Sequence, residues 1–74
     1  MNEEKHIRRH LPRNITSHRG DRTQSEVGAK AGVTRQAIWR LERGRTLPSV
    51  ILLVRLARVL GCRVDRLLGL DKEE

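Results

Sequence analysis

Apolar residues recur along this chain at helical spacing, and no sustained two-residue alternation appears that would predict a strand. Pro12 suits the first position of a helix starting at Leu11-Pro12, where its missing N–H costs nothing. Ile15 supplies that helix with an inward residue, and Gly20 and Asp21 mark a turn after Arg19. Residues 1–10 are expected to be a flexible charged arm. Thr23 is a good N-cap, and Glu26 three residues later completes a capping-box pattern. The helix it starts, with Val27, Ala31 and then Val33 on its apolar side, stops at Gly32. Thr34 caps the next helix, which runs through Arg43 to a second stop at Gly44. After the loop Arg45-Thr46-Leu47-Pro48 comes the most apolar helix, ending at Gly61, and a short one follows over Val64 to Leu68. The expected fold is all-α: five helices, no strands, a domain over residues 11–69 and a short tail over 70–74.

The second and third helices, joined by a tight turn at Gly32-Val33, make a helix-turn-helix arrangement. On a wheel of the third helix, Ala37, Ile38 and Leu41 fall together with Thr34 as the inward face. Gln36, Trp39, Arg40 and Arg43 lie opposite, with Arg35 at the edge. The fourth helix has more apolar residues than one stripe can hold. Val50, Leu53, Val54, Ala57 and Leu60 are assigned inward with Leu56 beside them, which leaves Ile51, Leu52 and Val59 elsewhere on the wheel. Apolar residues left uncovered mark a contact surface, and a homodimer burying Leu52, Leu56 and Val59, with Leu70 as a candidate addition, is expected. Packing against the first helix or the arm is the alternative.

Composition narrows the partner. Sixteen Lys/Arg against nine Asp/Glu give a net charge of +7, most of it from arginine. Between Arg22 and Arg45 there are six basic residues and two acidic ones, Glu26 and Glu42. Such a balance points to a polyanion. A chain of 74 residues is one domain at most, with a core worth roughly 3–5 kcal/mol of net stability. Cys62 is alone, so no internal disulfide forms, and a small buried apolar role suits it better than redox sensing beside Arg58 and Arg63. His6 and His10 have the spacing of a helical metal pair, but no second ligand cluster follows, so no metal or other cofactor is expected. The N-terminus has no apolar signal core and no run approaches membrane-spanning length, so a cytoplasmic location without membrane contact is expected. No nucleophile–base pair or glycine-rich phosphate loop supports an enzyme.

Trp39, the only aromatic residue, is set among arginines on an outward face. An α-helix fits the DNA major groove, where Arg grips guanine, Gln reads adenine and an apolar side chain packs on a thymine methyl. Arg35 and Gln36 lie in the first turn, which reaches deepest. Trp39, one turn on, meets the sugar–phosphate wall or a thymine methyl. The alternative for Trp39 is cover by the N-terminal arm or a partner subunit.

The stretch Thr23 to Ser49, followed by an apolar helix ending Arg58-Val59-Leu60-Gly61, resembles the lambda-repressor/Cro type of helix-turn-helix domain, over about Thr23 to Gly69. The resemblance implies that Gln24 binds a phosphate and braces the first recognition residue, and that Thr34 caps its helix close to the DNA backbone. It implies that Arg35 and Gln36 read base edges, that Trp39 and Arg40 contribute further along the groove, and that Arg43 and Arg45 hold phosphates. Dimerisation through the fourth helix and the C-terminal segment is also implied. Two departures stand out. Asp21 and Arg22 occupy positions where the family usually has Gly and an apolar residue. Ser17 stands where an arginine usually pairs with the glutamate that is here Glu42, which leaves Arg13 or Arg19 as that partner.

The expectation is a sequence-specific DNA-binding transcriptional regulator, a repressor more than an activator, binding a near-palindromic operator on double-stranded DNA as a homodimer and nucleoid-associated when bound. The five residues beyond Gly69 leave no expected room for an effector domain, so control would come from concentration, a protein partner or proteolysis. An antitoxin that binds a toxin and autoregulates an operon, a protein-interaction module on the same fold, and a nonspecific nucleic-acid binder are the rival readings.

Overall fold

Helices begin in this chain where a short polar side chain can accept from the first free backbone N–H groups. The computed structural model describes residues 2–71. Asn2 accepts from the Lys5 N–H at the start of α1 (Glu3–Arg19), and Thr23 from the Glu26 N–H at α2 (Gln24–Ala31). Thr34 accepts from the Ala37 N–H at α3 (Arg35–Glu42), and Ser49 from the Leu52 N–H at α4 (Val50–Leu60). Caps of this kind are each worth about 1 kcal/mol. The short α5 (Val64–Leu68) has no side-chain cap. At Thr23 the capping box closes in both directions, since the Glu26 carboxylate accepts from the Thr23 N–H at 2.8 Å. The all-helical expectation is met, with no strand among the described residues.

The largest difference from expectation is at the N-terminus. Residues 3–10, read as an arm, are the first half of α1, and Pro12 lies inside that helix rather than at its start. An interior proline removes one ladder donor, but α1 is held at both ends and along two stripes. Glu3 and Glu4 in its first turn and His18 and Arg19 in its last complement the helix dipole. Ile7, Leu11 and Ile15, four residues apart, run along one line into the core. Beside them His6, His10 and Asn14 form a second line against α5. The Asn14 amide donates to the carbonyls of Arg66 and Leu67, and the His6 Nε2–H donates to the Gly69 carbonyl at 2.6 Å. These side chains satisfy carbonyls that the end of α5 leaves open. Gly69 permits the approach: its φ is +73°, and a Cβ there would lie 2.8 Å from the His10 Cβ. Of the expected tail, Leu70 and Asp71 follow α5, and residues 72–74 lie outside the described residues.

The core consists of Leu11 and Ile15 from α1, Val27 and Ala31 from α2, Ile38 and Leu41 from α3, Leu56, Ala57 and Leu60 from α4, and Leu67 from α5. This turns the expected faces of α4. Leu56 is fully buried in the protomer, so it is a core residue and not part of a dimer contact. Val50 and Val54, read as inward, are 77 % and 38 % exposed, and Ile51 is 63 % exposed. Leu52, Leu53 and Val59 pack partly against the core. The run Val50 to Val54 is apolar on every side, so only its neighbours decide which face is covered. Cys62 is half-buried against the same core, and burial pushes its thiol pKa up against the opposing charge of Arg66. That environment does not favour thiolate.

The α2–α3 turn depends on a buried glycine. The Val33 N–H donates to the Gly28 carbonyl at 2.8 Å, and Gly32 takes φ +80°. A Cβ on Gly28 would lie 2.8 Å from the Val33 carbonyl oxygen and 3.1 Å from that of Thr34. Both are backbone atoms of the turn and cannot swing aside as a flexible side chain would. Gly28→Ala is therefore expected to destabilise the fold by about 1–3 kcal/mol, although alanine in a helix interior is otherwise favoured by about 1 kcal/mol. Urea unfolding followed by circular dichroism checks the sign.

Candidate nucleic-acid interface

The turn at Gly32 sends α3 across the end of α2, and Ile38 and Leu41 anchor it in the core. Its other side faces out. Arg35, Gln36 and Arg40 are exposed, as is Thr34 at the N-cap, whose hydroxyl oxygen accepts from the Ala37 N–H at 3.1 Å. Of the residues assigned to this face from the sequence, Arg35, Gln36, Arg40 and Arg43 are exposed and Trp39 is half-buried, so the face presents an amide and a series of guanidiniums to solvent.

Trp39 is half-buried, and two arginines lie over its ring. The guanidinium carbons of Arg43 and Arg45 each lie 5.1 Å from the indole centroid, within cation–π range. Arg43 is one turn beyond Trp39 on the same helical line. Arg45 returns to the ring because the chain reverses at Gly44. The Gly44 N–H donates to the Leu41 carbonyl and the Arg45 N–H to the Arg40 carbonyl at 2.9 Å, with φ +73° at Gly44. This pattern is a Schellman motif, and its left-handed residue favours glycine.

The C-terminal end of α3 is fixed by a largely buried carboxylate. Arg19 grips Glu42 with two hydrogen bonds, Nε to Oε2 at 2.7 Å and Nη2 to Oε1 at 3.0 Å. The Glu42 side chain is 7 % exposed. Of the two arginines open as its partner, the structure selects Arg19. The Gln24 amide donates to Glu42 Oε1 at 3.1 Å, so Gln24 braces the far end of α3 and not Arg35 in its first turn, as had been expected. Burial pushes the Glu42 carboxyl up, but hydrogen bonds from Arg19 and Gln24 with the Arg19 charge outweigh it and hold the pKa below the ordinary value. The same hydrogen bond to Glu42 raises that of Arg19, against desolvation.

Arg22, one of the two departures from the family pattern, has a structural role that sequence reasoning missed. Its guanidinium donates to the carbonyls of His18 at 3.0 Å and Val59 at 2.8 Å, and more weakly to that of Arg19. It thus ties the ends of α1 and α4, where carbonyls are free and a positive charge suits the dipole. Arg19 in turn donates to the Arg22 carbonyl at 2.8 Å. Among the described residues there is no group of three or more potential metal ligands, and no helix is long and apolar enough to cross a membrane.

A Cro/C1-type helix-turn-helix family model matches residues 19–67. A Methanothermobacter thermautotrophicus protein described as an uncharacterized HTH-type transcriptional regulator is 56 % identical over 39 residues, which cover 53 % of this chain and 56 % of that protein. A protein of the same description from Archaeoglobus fulgidus is 42 % identical over 52 residues, covering 70 % of this chain and 74 % of its own length. Another from Sinorhizobium fredii is 51 % identical over 39 residues, covering 53 % of this chain and 51 % of that protein. The chain thus spans only about half the length of the first and last of these. No solved structure matches it.

Glu42→Gln is expected to lower stability by about 1–3 kcal/mol near neutral pH, because a buried charge loses its partner while the amide still accepts one hydrogen bond. A carboxyl whose folded pKa is lowered contributes stability that is present above its unfolded pKa and lost as pH falls through the folded value. The gap between wild type and variant is therefore expected to hold from neutral pH down to about 4.5 and to shrink below it. Urea titrations across that range read it directly.

Proposed function

The chain belongs to the Cro/C1-type helix-turn-helix family, and on that footing we propose that it is a sequence-specific, dimeric transcriptional regulator acting on double-stranded DNA. The observation that carries this reading is the outer side of α3, where Arg35, Gln36 and Arg40 stand exposed on a helix whose inner side is locked in the core. In the major groove Arg35 and Gln36 read base edges from the first turn, and Arg40 reads further along. The ring of Trp39 leaves part of its surface open towards the groove wall. Thr34 lies against the DNA backbone, with Arg43 and Arg45 holding phosphates at the other end of α3. Gln24 reaches a phosphate only by giving up or sharing its bond to Glu42.

The second subunit is placed on α4. Leu47, Val50, Ile51 and Val54 are all exposed, with Leu52 half-buried beside them. This patch replaces the set containing Leu56 as the proposed homodimer contact, with Leu52 and Val59 retained at its edge. Two subunits would set their α3 helices about 34 Å apart along one face of the duplex, so the operator is a near-palindrome. Occupying it blocks polymerase, which makes the protein a repressor, nucleoid-associated in the cytoplasm.

Selection from a random duplex library at physiological salt is expected to recover a palindrome with half-sites about ten base pairs apart. Enrichment of no sequence by the folded protein would overturn the reading. Against the recovered site, Gln36→Ala or Arg35→Ala should each cost about 1–3 kcal/mol and relax preference at one base pair per half-site. Light scattering should give a dimer at tens of micromolar and a monomer for Ile51→Asp; a wild-type monomer would reassign the patch to a different protein partner.

A further inference from the structure

We propose that Trp39 is a positioning residue, a platform that holds the guanidiniums of Arg43 and Arg45 together as one phosphate clamp; this rests on the DNA-binding reading and assigns the ring's part in it. Both guanidinium carbons lie 5.1 Å from the ring centroid, so the two charges are no farther apart than those distances combined. Neither arginine has an acidic partner among the described residues, whose ion pairs use Arg8, Arg19, Arg63 and Arg66. The nearest carboxylate in sequence, Glu42, is occupied by Arg19 and Gln24.

Two like charges on long side chains would separate in solution, and the negative face of the ring is what the structure provides to hold them. A guanidinium held over the ring by cation–π attraction makes no hydrogen bond to it through its edge, so N–H donors stay available for the oxygen atoms of a phosphate. Stacking also restricts, before any ligand arrives, rotamers that each arginine would otherwise lose on binding. The backbone supports the arrangement at both members. Arg43 follows Trp39 by one helical turn, and the Schellman bond from the Arg45 N–H to the Arg40 carbonyl brings Arg45 back over the ring. Because phosphates carry no sequence information, the ring acts on affinity and salt dependence equally for all duplexes.

The test compares wild type, Trp39→Ala, Trp39→Phe and the double variant Arg43→Ala/Arg45→Ala, each first checked for native circular dichroism. In the free protein, the arginine δ-methylene protons of residues 43 and 45 are expected to show upfield ring-current shifts in NMR spectra that vanish in Trp39→Ala; their absence from wild type would overturn the stack itself. On DNA, affinities for the selected operator and for a scrambled duplex are measured from 50 to 200 mM salt. Trp39→Ala is expected to weaken both duplexes alike, by roughly tenfold, and to flatten the plot of log affinity against log salt towards that of the double arginine variant, which should lose about 0.9 in slope for the one clamped phosphate. Trp39→Phe keeps an aromatic face and should recover most of both. Loss confined to the operator, with the salt slope unchanged, would make Trp39 a base reader and overturn the clamp. Failure of wild type to bind any duplex would defeat the DNA reading and the clamp with it, and the free-protein shifts tell that result apart from a missing stack.

Discussion

Glu42 closes α3, the end of a helix where a negative charge opposes the dipole. Its carboxylate is nearly out of solvent, and such a group persists in a fold only when it is paired and hydrogen-bonded. Arg19 supplies a two-point grip from the last turn of α1, and Gln24 adds a donor from the first turn of α2. One carboxylate thereby fixes where three helices meet. Arg19 also donates to the Arg22 carbonyl, and Arg22 reaches the end of α4, so the same group of charges extends to a fourth helix. An apolar core of ten residues has little directional preference of its own. The charged node sets the angle at which α3 emerges and so the direction its outer face points.

On the proposed DNA reading, this division separates folding from recognition along a single helix. Ile38, Leu41 and Glu42 belong to the core and the node, while Arg35, Gln36 and Arg40 make no contact that the fold depends on. Substitution on the outer side therefore leaves stability nearly unchanged, as surface substitutions generally do. Trp39 sits between the two sets. Half-buried beneath two arginines, it contributes apolar cover without entering the core, which is how a chain with one aromatic residue can keep it at the edge of a polar surface.

How much of this could be read from the residues follows from the range of each interaction. The capping box at Thr23 and Glu26, the stop at Gly32 and the cap at Thr34 are encoded within a few positions, and the helix-turn-helix unit was legible for that reason. The outward face of α3 needed only its wheel. Pro12 carries the local signal of a helix start and so hides the first half of α1, although the four-residue steps of Ile7, Leu11 and Ile15 point to a longer helix. What sustains its first half, the contacts of His6 and Asn14 with α5, spans more than fifty positions and leaves no local trace. The turned face of α4 has a different cause. Five consecutive apolar residues define no preferred side, and the choice of Leu56 over Val50 and Val54 was made by the helices that pack there. Arg22 looked like a departure from a pattern because its role lies in backbone carbonyls on α1 and α4, which no residue type announces.

The long α1 also changes what the two ends of the chain do for the interface. With His6 and Asn14 closing α5, the first and last helices of the described chain are bound to one another. A flexible arm beginning at residue 1 would have been free to reach DNA; a helix docked by two stripes is not. On the proposed DNA reading, contact rests on α3 and the loop after it; Pro12 of α1 lies near that loop, its Cγ 3.6 Å from where a Cβ on Gly44 would stand. The helix that was expected to be loose instead lies beside the turn that returns Arg45 to Trp39. Order at that turn would favour binding, because a preorganised contact loses less side-chain freedom when it engages its ligand, and the interior proline, awkward for the helix that contains it, lies beside that turn.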